Sequence, residues 1–228
     1  MQTLRLRPMS AARLLEEQER GALIVDTRAA EAFARLHARG AVQIGLVGPF
    51  ASWAAILLHP RQKVLLVADD SRHAQEARIR LSRVGLLRVI GYALADPGEW
   101  RIAGIELVSF PTRRSEDIFG SLRSDPSLQL VDVRSRAEWL KGHLPGAVSL
   151  PLLHLRPGHV AFDRRITVPS RRTFVYCREG FRATTAASLL LRQGAGAIGV
   201  VIDGFDEWSR LGLPLQVPEL GVDERLDR

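Results

Sequence analysis

The stretch VYCREGFRATTAA, residues 175–187, joins an apolar run to a helical pattern through a short loop that begins with Cys177. The order of buried strand, glycine-containing turn and helix is typical of α/β proteins, which bind ligands at the carboxyl ends of their parallel strands. Cys177 follows such an end and is the single cysteine of the chain. It is therefore either a small core residue or a nucleophile in an anion-binding loop.

The residues that follow Cys177 favour the nucleophile. If residues 178–182 curl around the sulfur, their N–H groups point inward and the helix N-terminus adds about half a positive charge. Such surroundings lower a thiol pKa from about 8.5 to roughly 3.5–7.5. Gly180 permits the curl, Arg182 stabilises an incoming anion or the loop itself, and Arg178 adds a positive group at the rim. The sequence thus predicts a thiolate at Cys177.

The chain contains two copies of one unit. ALIVDTRAAEAFARL reappears as LQLVDVRSRAEWLKG, and Asp69 stands opposite Cys177 in the alignment of the two copies. The matching segments are 22–36 with 128–142 and 88–107 with 196–215, and 63–70 parallels 173–180. Asp69 is placed opposite Cys177 by the offset of 108 residues that also relates Trp100 to Trp208. The repeat predicts two units, residues 1–110 and 115–228, joined near SFPTRRSED.

Each unit alternates short apolar runs with helical patterns. In the second unit the patterns predict strands over 128–133, 147–150, 173–177 and 198–202, and helices over 135–142, 181–194 and 205–212. Continuous apolar strands separated by helices indicate a parallel sheet covered on both faces. The predicted fold class is α/β, with two tandem units, each a parallel sheet flanked by helices on both faces.

Composition limits the classes of function. Of the 228 residues, 46% are hydrophobic and 25% charged, which is typical of a soluble globular protein. No run resembles a secretory signal or a membrane span, so we expect a cytoplasmic protein with no membrane partner. The net charge of +7 is spread over both halves, which favours attraction of small anions over nucleic-acid binding. We expect no cofactor and no metal.

Four segments carry a family resemblance: LVDVRSRAEWLKGHLPGAVSLP (130–151), VYCREGFRA (175–183), the helix that follows it, and GFDEWSRLGLPL (204–215). Together they resemble the rhodanese, or thiosulfate sulfurtransferase, family. The resemblance implies a rhodanese-like α/β fold and Cys177 as the sulfur-carrying nucleophile. It also implies that the substrate is bound by the loop residues Arg178, Glu179, Gly180, Phe181 and Arg182.

The first unit looks like a more divergent, inactive rhodanese-like domain. Asp69 takes the place of the nucleophile, and a carboxylate cannot accept sulfane sulfur. The stretch DTRAAEAFARLHARGAVQIGLVGPFASWAAILL (26–58) is also similar to the tandem rhodanese tails fused to bacterial persulfide dioxygenases of the metallo-β-lactamase fold, although the chain has no HxHxDH zinc cluster. That similarity implies low-molecular-weight persulfides as donors and such a dioxygenase as a partner.

The reaction implied by the resemblance moves sulfane sulfur from thiosulfate or a small persulfide to Cys177, and then to cyanide, a thiol or sulfite. Two alternatives remain open. A phosphatase or arsenate reductase would share the cysteine–arginine loop, but related phosphatases place one residue more between cysteine and arginine than CREGFR does. A non-catalytic regulatory or binding module is the other.

Five further residues have two interpretations each. Asp132 and Arg134 form either a buried hydrogen-bonding pair or part of the catalytic apparatus, and the buried pair is preferred. His143 is interpreted as a turn residue rather than a general base, and Trp208 as a core residue rather than a pocket wall. The charge of Glu179 opposes anion binding, so we expect it to face solvent or to pair with an arginine.

The sequence does not assign a defined structure or role to two segments. The arginine-rich connection 154–172 is either a basic lip that guides anions or a solvated excursion, and the tail 217–228 is expected to pack loosely.

Overall fold

The computed structural model describes residues 6–157 and 172–218, and these residues form two parallel sheets. The first sheet has the spatial order β3 (Val42–Gln43), β1 (Leu23–Asp26), β4 (Val64–Ala68), β5 (Val89–Leu94). Its helices are α1 (Ala11–Glu19), α2 (Ala30–Arg35), α3 (Phe50–Leu57), α4 (Ser71–Ser82) and α5 (Pro97–Ile102). A short antiparallel pair, β2 (His37–Ala38) with β6 (Leu107–Val108), lies outside this sheet.

The second sheet repeats this arrangement with one more strand. Its order is β7 (Thr112–Arg113), β11 (Ile198–Val201), β10 (Thr173–Tyr176), β8 (Gln129–Asp132), β9 (Val148–Ser149). Its helices are α6 (Ser115–Ser124), α7 (Arg136–Trp139), α8 (Phe181–Arg192) and α9 (Gly204–Arg210), with a 3-10 turn at Leu152–Leu155. Every pairing within both sheets is parallel.

The predicted fold class is confirmed. Each strand and helix predicted for the second unit overlaps an observed element. The observed elements lie within the predicted bounds except α9, which begins one residue earlier, at Gly204. The division into domains 1–110 and 115–228 stays a prediction. Most of the connection 154–172 and all but two residues of the tail 217–228 lie outside the described residues. No described helix is long and apolar enough to cross a membrane.

Helix α8 lies where the two repeats meet. It packs against its own strands β10 and β11, and also against β3 of the first sheet. All residues from Ala183 to Leu190 are buried in consequence, which is unusual because a surface helix normally keeps one polar face in water. One cluster of buried apolar residues, including Val25 and Val175, therefore runs through both repeats.

Each repeat contains the same buried ion pair after its first long strand. Arg134 donates to both carboxylate oxygens of Asp132 at 2.7–3.0 Å, and Arg28 meets Asp26 in the same way. Both members of each pair are buried. A buried charge without its partner destabilises the folded state. Replacing either member of a pair should therefore destabilise the repeat that contains it.

We expect Asp132→Asn to lower the free energy of unfolding by about 3–5 kcal/mol, because it leaves the buried guanidinium of Arg134 without a counter-charge. Asp26→Asn should have a comparable effect in the first repeat. Urea denaturation followed by circular dichroism measures both. Glu207→Gln is the matched control, since its partner Arg210 is exposed, and it should leave the free energy of unfolding almost unchanged. A loss for Asp132→Asn as small as the control's would contradict the assignment.

Candidate active site

The loop between β10 and α8 places Cys177 at the carboxyl edge of the second sheet. The strand ends at Tyr176 and the helix begins at Phe181. Gly180 precedes the helix with φ +92°, in the left-handed region that favours glycine. A Cβ at this position would lie 2.4 Å from the backbone oxygen of Ile202. Only glycine therefore lets the loop turn so close to the neighbouring strand.

The backbone of this loop faces the sulfur. The N–H of Gly180 donates to Cys177 Sγ over 3.1 Å, and backbone hydrogen bonds from Glu179 and Ala183 also act on the sulfur. The cysteine is 1% exposed and belongs to the continuous apolar cluster. Cys177 thus has both predicted properties, being a buried residue with inward-pointing amides around it.

Burial has a larger effect on the thiol than the amides do. Desolvation raises the pKa of Cys177, while the backbone hydrogen bonds and the charge of Arg182 act in the opposite direction without overcoming it. The prediction of a lowered pKa is therefore wrong for this structure. The predicted ring is present, but the sequence pattern does not show how completely the sulfur is enclosed.

Arg182 is held by a carboxylate that the sequence analysis missed. Its two terminal nitrogens donate to Glu138 over 2.7 and 2.8 Å, and this contact lowers the pKa of Glu138 to about 2. Ser135 donates to the same carboxylate from its backbone N–H and its hydroxyl. The sequence S-R-A-E of this capping box is the signal that could have identified Glu138. Arg182 therefore ties the loop to α7 in this structure.

The other two charged residues of the loop lie at its rim. Arg178 donates to Asp206 over 2.9 Å, and Glu179 lies 3.9 Å from the Arg178 guanidinium. Both side chains are more than half exposed. Phe181 is exposed as well, with 57% of its surface open. Their predicted role in substrate binding remains a prediction, and the structure places all three beside the sulfur-holding turn.

The contacts of Asp132, Arg134, His143 and Trp208 are those of framework residues. Arg134 is occupied by Asp132 and also donates to Gly142 O over 2.7 Å. His143 stacks on Trp139 with the ring centroids 3.4 Å apart, and burial lowers its pKa. Both features suit a turn residue better than a general base.

Trp208 is fully buried, and its indole N–H donates to Pro214 O over 2.8 Å. It contributes to the core and does not line the cavity beside the loop.

A cavity of about 270 Å³ adjoins the loop on the side of the first repeat. Its lining from the second repeat includes Gly180 and Phe181, and its lining from the first repeat is the segment 29–31. The cavity is therefore lined by both repeats.

The corresponding loop of the first repeat has another structure. Asp69 follows β4 as Cys177 follows β10, but α4 begins at Ser71, so the intervening loop is shorter. The carboxylate of Asp70 accepts the N–H groups of Arg72 and His73 over 2.8 and 2.9 Å. These amides are thus already bound to a side chain of the chain itself.

Comparison with known proteins agrees with this architecture. The family profile of the rhodanese-like domain matches residues 115–211. A sulfurtransferase of Allochromatium vinosum is 34% identical over 107 residues, which cover 46% of this chain and 94% of that protein. The putative sulfur carrier protein YrkF of Bacillus subtilis is 30% identical over 101 residues, 44% of this chain and 52% of that protein.

Among solved structures, a thiosulfate sulfurtransferase from Pseudomonas aeruginosa aligns with 94% of this chain and 44% of its own, at 21% identity and a TM-score of 0.39. A superposition this weak carries no information about the site.

The raised pKa of Cys177 predicts how its alkylation depends on pH. Because only the thiolate reacts, the rate with iodoacetamide should still rise with pH above about 8.5. Mass spectrometry measures the rate without background, since the chain has one cysteine. The protein unfolded in urea provides the reference, with a midpoint at about pH 8.5. A plateau below about pH 7.5 in the folded protein would show that the amide ring outweighs burial.

Glu138→Gln should move the pH midpoint of Cys177 alkylation down, because Arg182 then acts on the sulfur without an adjacent negative charge. Glu16→Gln, which removes an exposed carboxylate paired with Arg13 on α1, is the matched control and should not move it. An unchanged or higher midpoint in Glu138→Gln would mean that Arg182 does not act on Cys177 through its charge.

Proposed function

The chain belongs to the rhodanese-like domain family and is a sulfurtransferase, and on that premise we propose that it carries sulfane sulfur as a persulfide on Cys177. The observation that supports this role most directly is the turn at Gly180, whose N–H points at the sulfur at the edge of a parallel sheet. Cysteine nucleophiles in such loops are activated by neighbouring N–H groups and positive charge.

The first half-reaction loads the enzyme. The thiolate of Cys177 attacks the outer sulfur of thiosulfate, a new S–S bond forms, and the S–S bond of the donor breaks so that sulfite leaves with the electron pair. The persulfide anion that results lies where the loop amides can donate to it. The charge is thereby compensated inside a site from which water is largely excluded.

The second half-reaction returns the enzyme to its starting state. A nucleophilic acceptor, such as cyanide or a thiolate, attacks the outer sulfur of the persulfide, and Cys177 leaves as a thiolate. With no second cysteine in the chain, no intramolecular disulfide competes with this transfer. Kinetics of the ping-pong type should follow.

Arg182 and Glu138 act as positioning residues in this proposal. Their bidentate contact joins α7 to the first turn of α8, and so holds the loop around the sulfur. Charge-assisted bidentate contacts are stronger and more directional than neutral hydrogen bonds. The tether limits how far the loop amides can turn away from Cys177.

The first repeat is proposed to be catalytically inactive. It offers Asp69 at the position of the nucleophile, and Asp70 occupies amides that an anion would need. A carboxylate cannot form a persulfide. Thiosulfate or a low-molecular-weight persulfide as donor, a persulfide dioxygenase as partner and a cytoplasmic location stay predictions.

Incubation with thiosulfate should add one sulfur atom to the intact mass of the protein, and cyanide should remove it. Cys177→Ser should gain no sulfur and lose about a thousandfold or more of thiosulfate:cyanide turnover, because the attacking atom is absent. Intact-mass spectrometry and a thiocyanate assay measure the two effects. Sulfur gained by Cys177→Ser, or faster turnover of p-nitrophenyl phosphate than of thiosulfate, would overturn the proposal.

A further inference from the structure

The cavity beside the Cys177 loop is lined by residues of the first repeat as well as by the loop, so its size and charge depend on both. Its volume of about 270 Å³ lies just below the range of about 300–1,000 Å³ that is usual for drug-sized ligands. It therefore suits a molecule of a few heavy atoms. Gly180 lines it and at the same time donates its N–H to the sulfur. A molecule in the cavity thus touches the residue that holds Cys177.

The wall formed by the first repeat is held in place by buried polar contacts. Gln43 of β3 donates its backbone N–H to the hydroxyl of Ser188 over 3.1 Å, and its side-chain oxygen accepts from Thr185 over 2.9 Å. All three residues are buried. Because buried hydrogen-bonding groups are costly to separate, α8 and the first repeat stay in register. Helix α2, which begins at the cavity, also packs against α8.

All charges on the described lining are negative. Glu31 from the first repeat and Glu179 from the loop line the cavity, and none of its lining residues in the described part of the chain is basic. The nearby guanidinium of Arg182 is bound by Glu138, while that of Arg178 donates to Asp206. Within residues 6–157 and 172–218, no ion pair or hydrogen bond involves the side chain of Glu31. Its carboxylate is available to a ligand.

An aromatic ring completes this environment. Phe181, the residue after Gly180 in the loop, lines the cavity, and 57% of its surface is exposed. A cation placed over an aromatic face is attracted by the quadrupole of the ring. Carboxylates and an aromatic ring together favour a positively charged ligand and disfavour a dianion such as thiosulfate.

We propose that this cavity is the acceptor site and that Glu31 selects a small thiol bearing an ammonium group. The inference rests on the proposed function, because it names the acceptor of the persulfide sulfur. The thiolate of the aminothiol attacks the outer sulfur of the Cys177 persulfide, a new S–S bond forms, and Cys177 leaves as a thiolate. The ammonium group stays beside Glu31. The first repeat thereby supplies a specificity-determining residue, although it has no nucleophile of its own.

The test measures the second half-reaction alone. The protein is loaded with thiosulfate, freed of excess donor, and mixed with cysteamine, 2-mercaptoethanol or 3-mercaptopropionate, which carry positive, no and negative charge. Intact-mass spectrometry follows the loss of the persulfide. Each thiol is compared with itself between variants, so differences in thiol acidity cancel. The readout is the ratio of the cysteamine rate to the 3-mercaptopropionate rate, with 2-mercaptoethanol as the neutral reference.

We expect Glu31→Gln to lower this ratio about three- to tenfold at low salt, and Glu31→Lys to lower it further. Added salt should reduce the difference between the proteins, because it screens exposed charges. The matched control is Glu99→Gln, which removes an exposed carboxylate of α5 that does not line the cavity. Its ratio should equal that of the unaltered protein.

The outcomes separate this inference from the proposed function. If the persulfide forms but the ratio stays within twofold in both Glu31→Gln and Glu31→Lys, the acceptor site is wrong and the persulfide mechanism stands. An equal drop in Glu99→Gln would likewise overturn it, since the effect would then come from net charge alone. If no persulfide forms on the unaltered protein, the proposed function itself fails.

Discussion

The turn at Gly180 is the constraint on which the rest of the site depends. A residue with a Cβ would meet the backbone of Ile202, and the positive φ would strain it further. Because glycine is accommodated there, the chain reverses within a few residues of β10, directs an N–H at the sulfur and begins α8 at Phe181. The position of Cys177, the amides around it and one wall of the neighbouring cavity all follow from this single backbone conformation.

Two opposing electrostatic effects act on the sulfur. Burial disfavours the thiolate, whereas the loop amides and Arg182 favour it, and burial has the larger effect in this structure. Glu138 weakens the effect of Arg182 on the thiolate, because it accepts hydrogen bonds from both terminal nitrogens of Arg182 and offsets its charge. In the proposed mechanism the same arrangement is useful after sulfur transfer, since an enclosed persulfide is shielded from solvent. The amides are then close to an anion that has few other partners.

In our proposal the two repeats have different tasks. Both keep the buried aspartate–arginine pair, which shows that the framework has the same physical requirement in each. Only the second has a thiol at the sheet edge, whereas the first uses the equivalent turn to cap α4 with Asp70. In our proposal the first repeat supports α8 through Gln43 and contributes Glu31 to the acceptor cavity. A repeat without a nucleophile thus shapes the site of its neighbour.

Local pattern was sufficient for the fold and for the position of the loop. Apolar runs separated by helical periods determined two parallel sheets, and the order of strand, Cys177, Gly180 and helix determined where the sulfur lies. The spacing of Asp132 and Arg134 likewise determined a buried pair, because the two residues meet across one intervening position. These features depend on residues that are close in sequence. The direction of the Cys177 pKa, the contact of Arg182 with Glu138 and the approach of Glu31 to the loop were decided only by the tertiary structure. Each depends on packing between segments far apart in the chain, and the spacing of residues within one segment does not show which distant surface will enclose it.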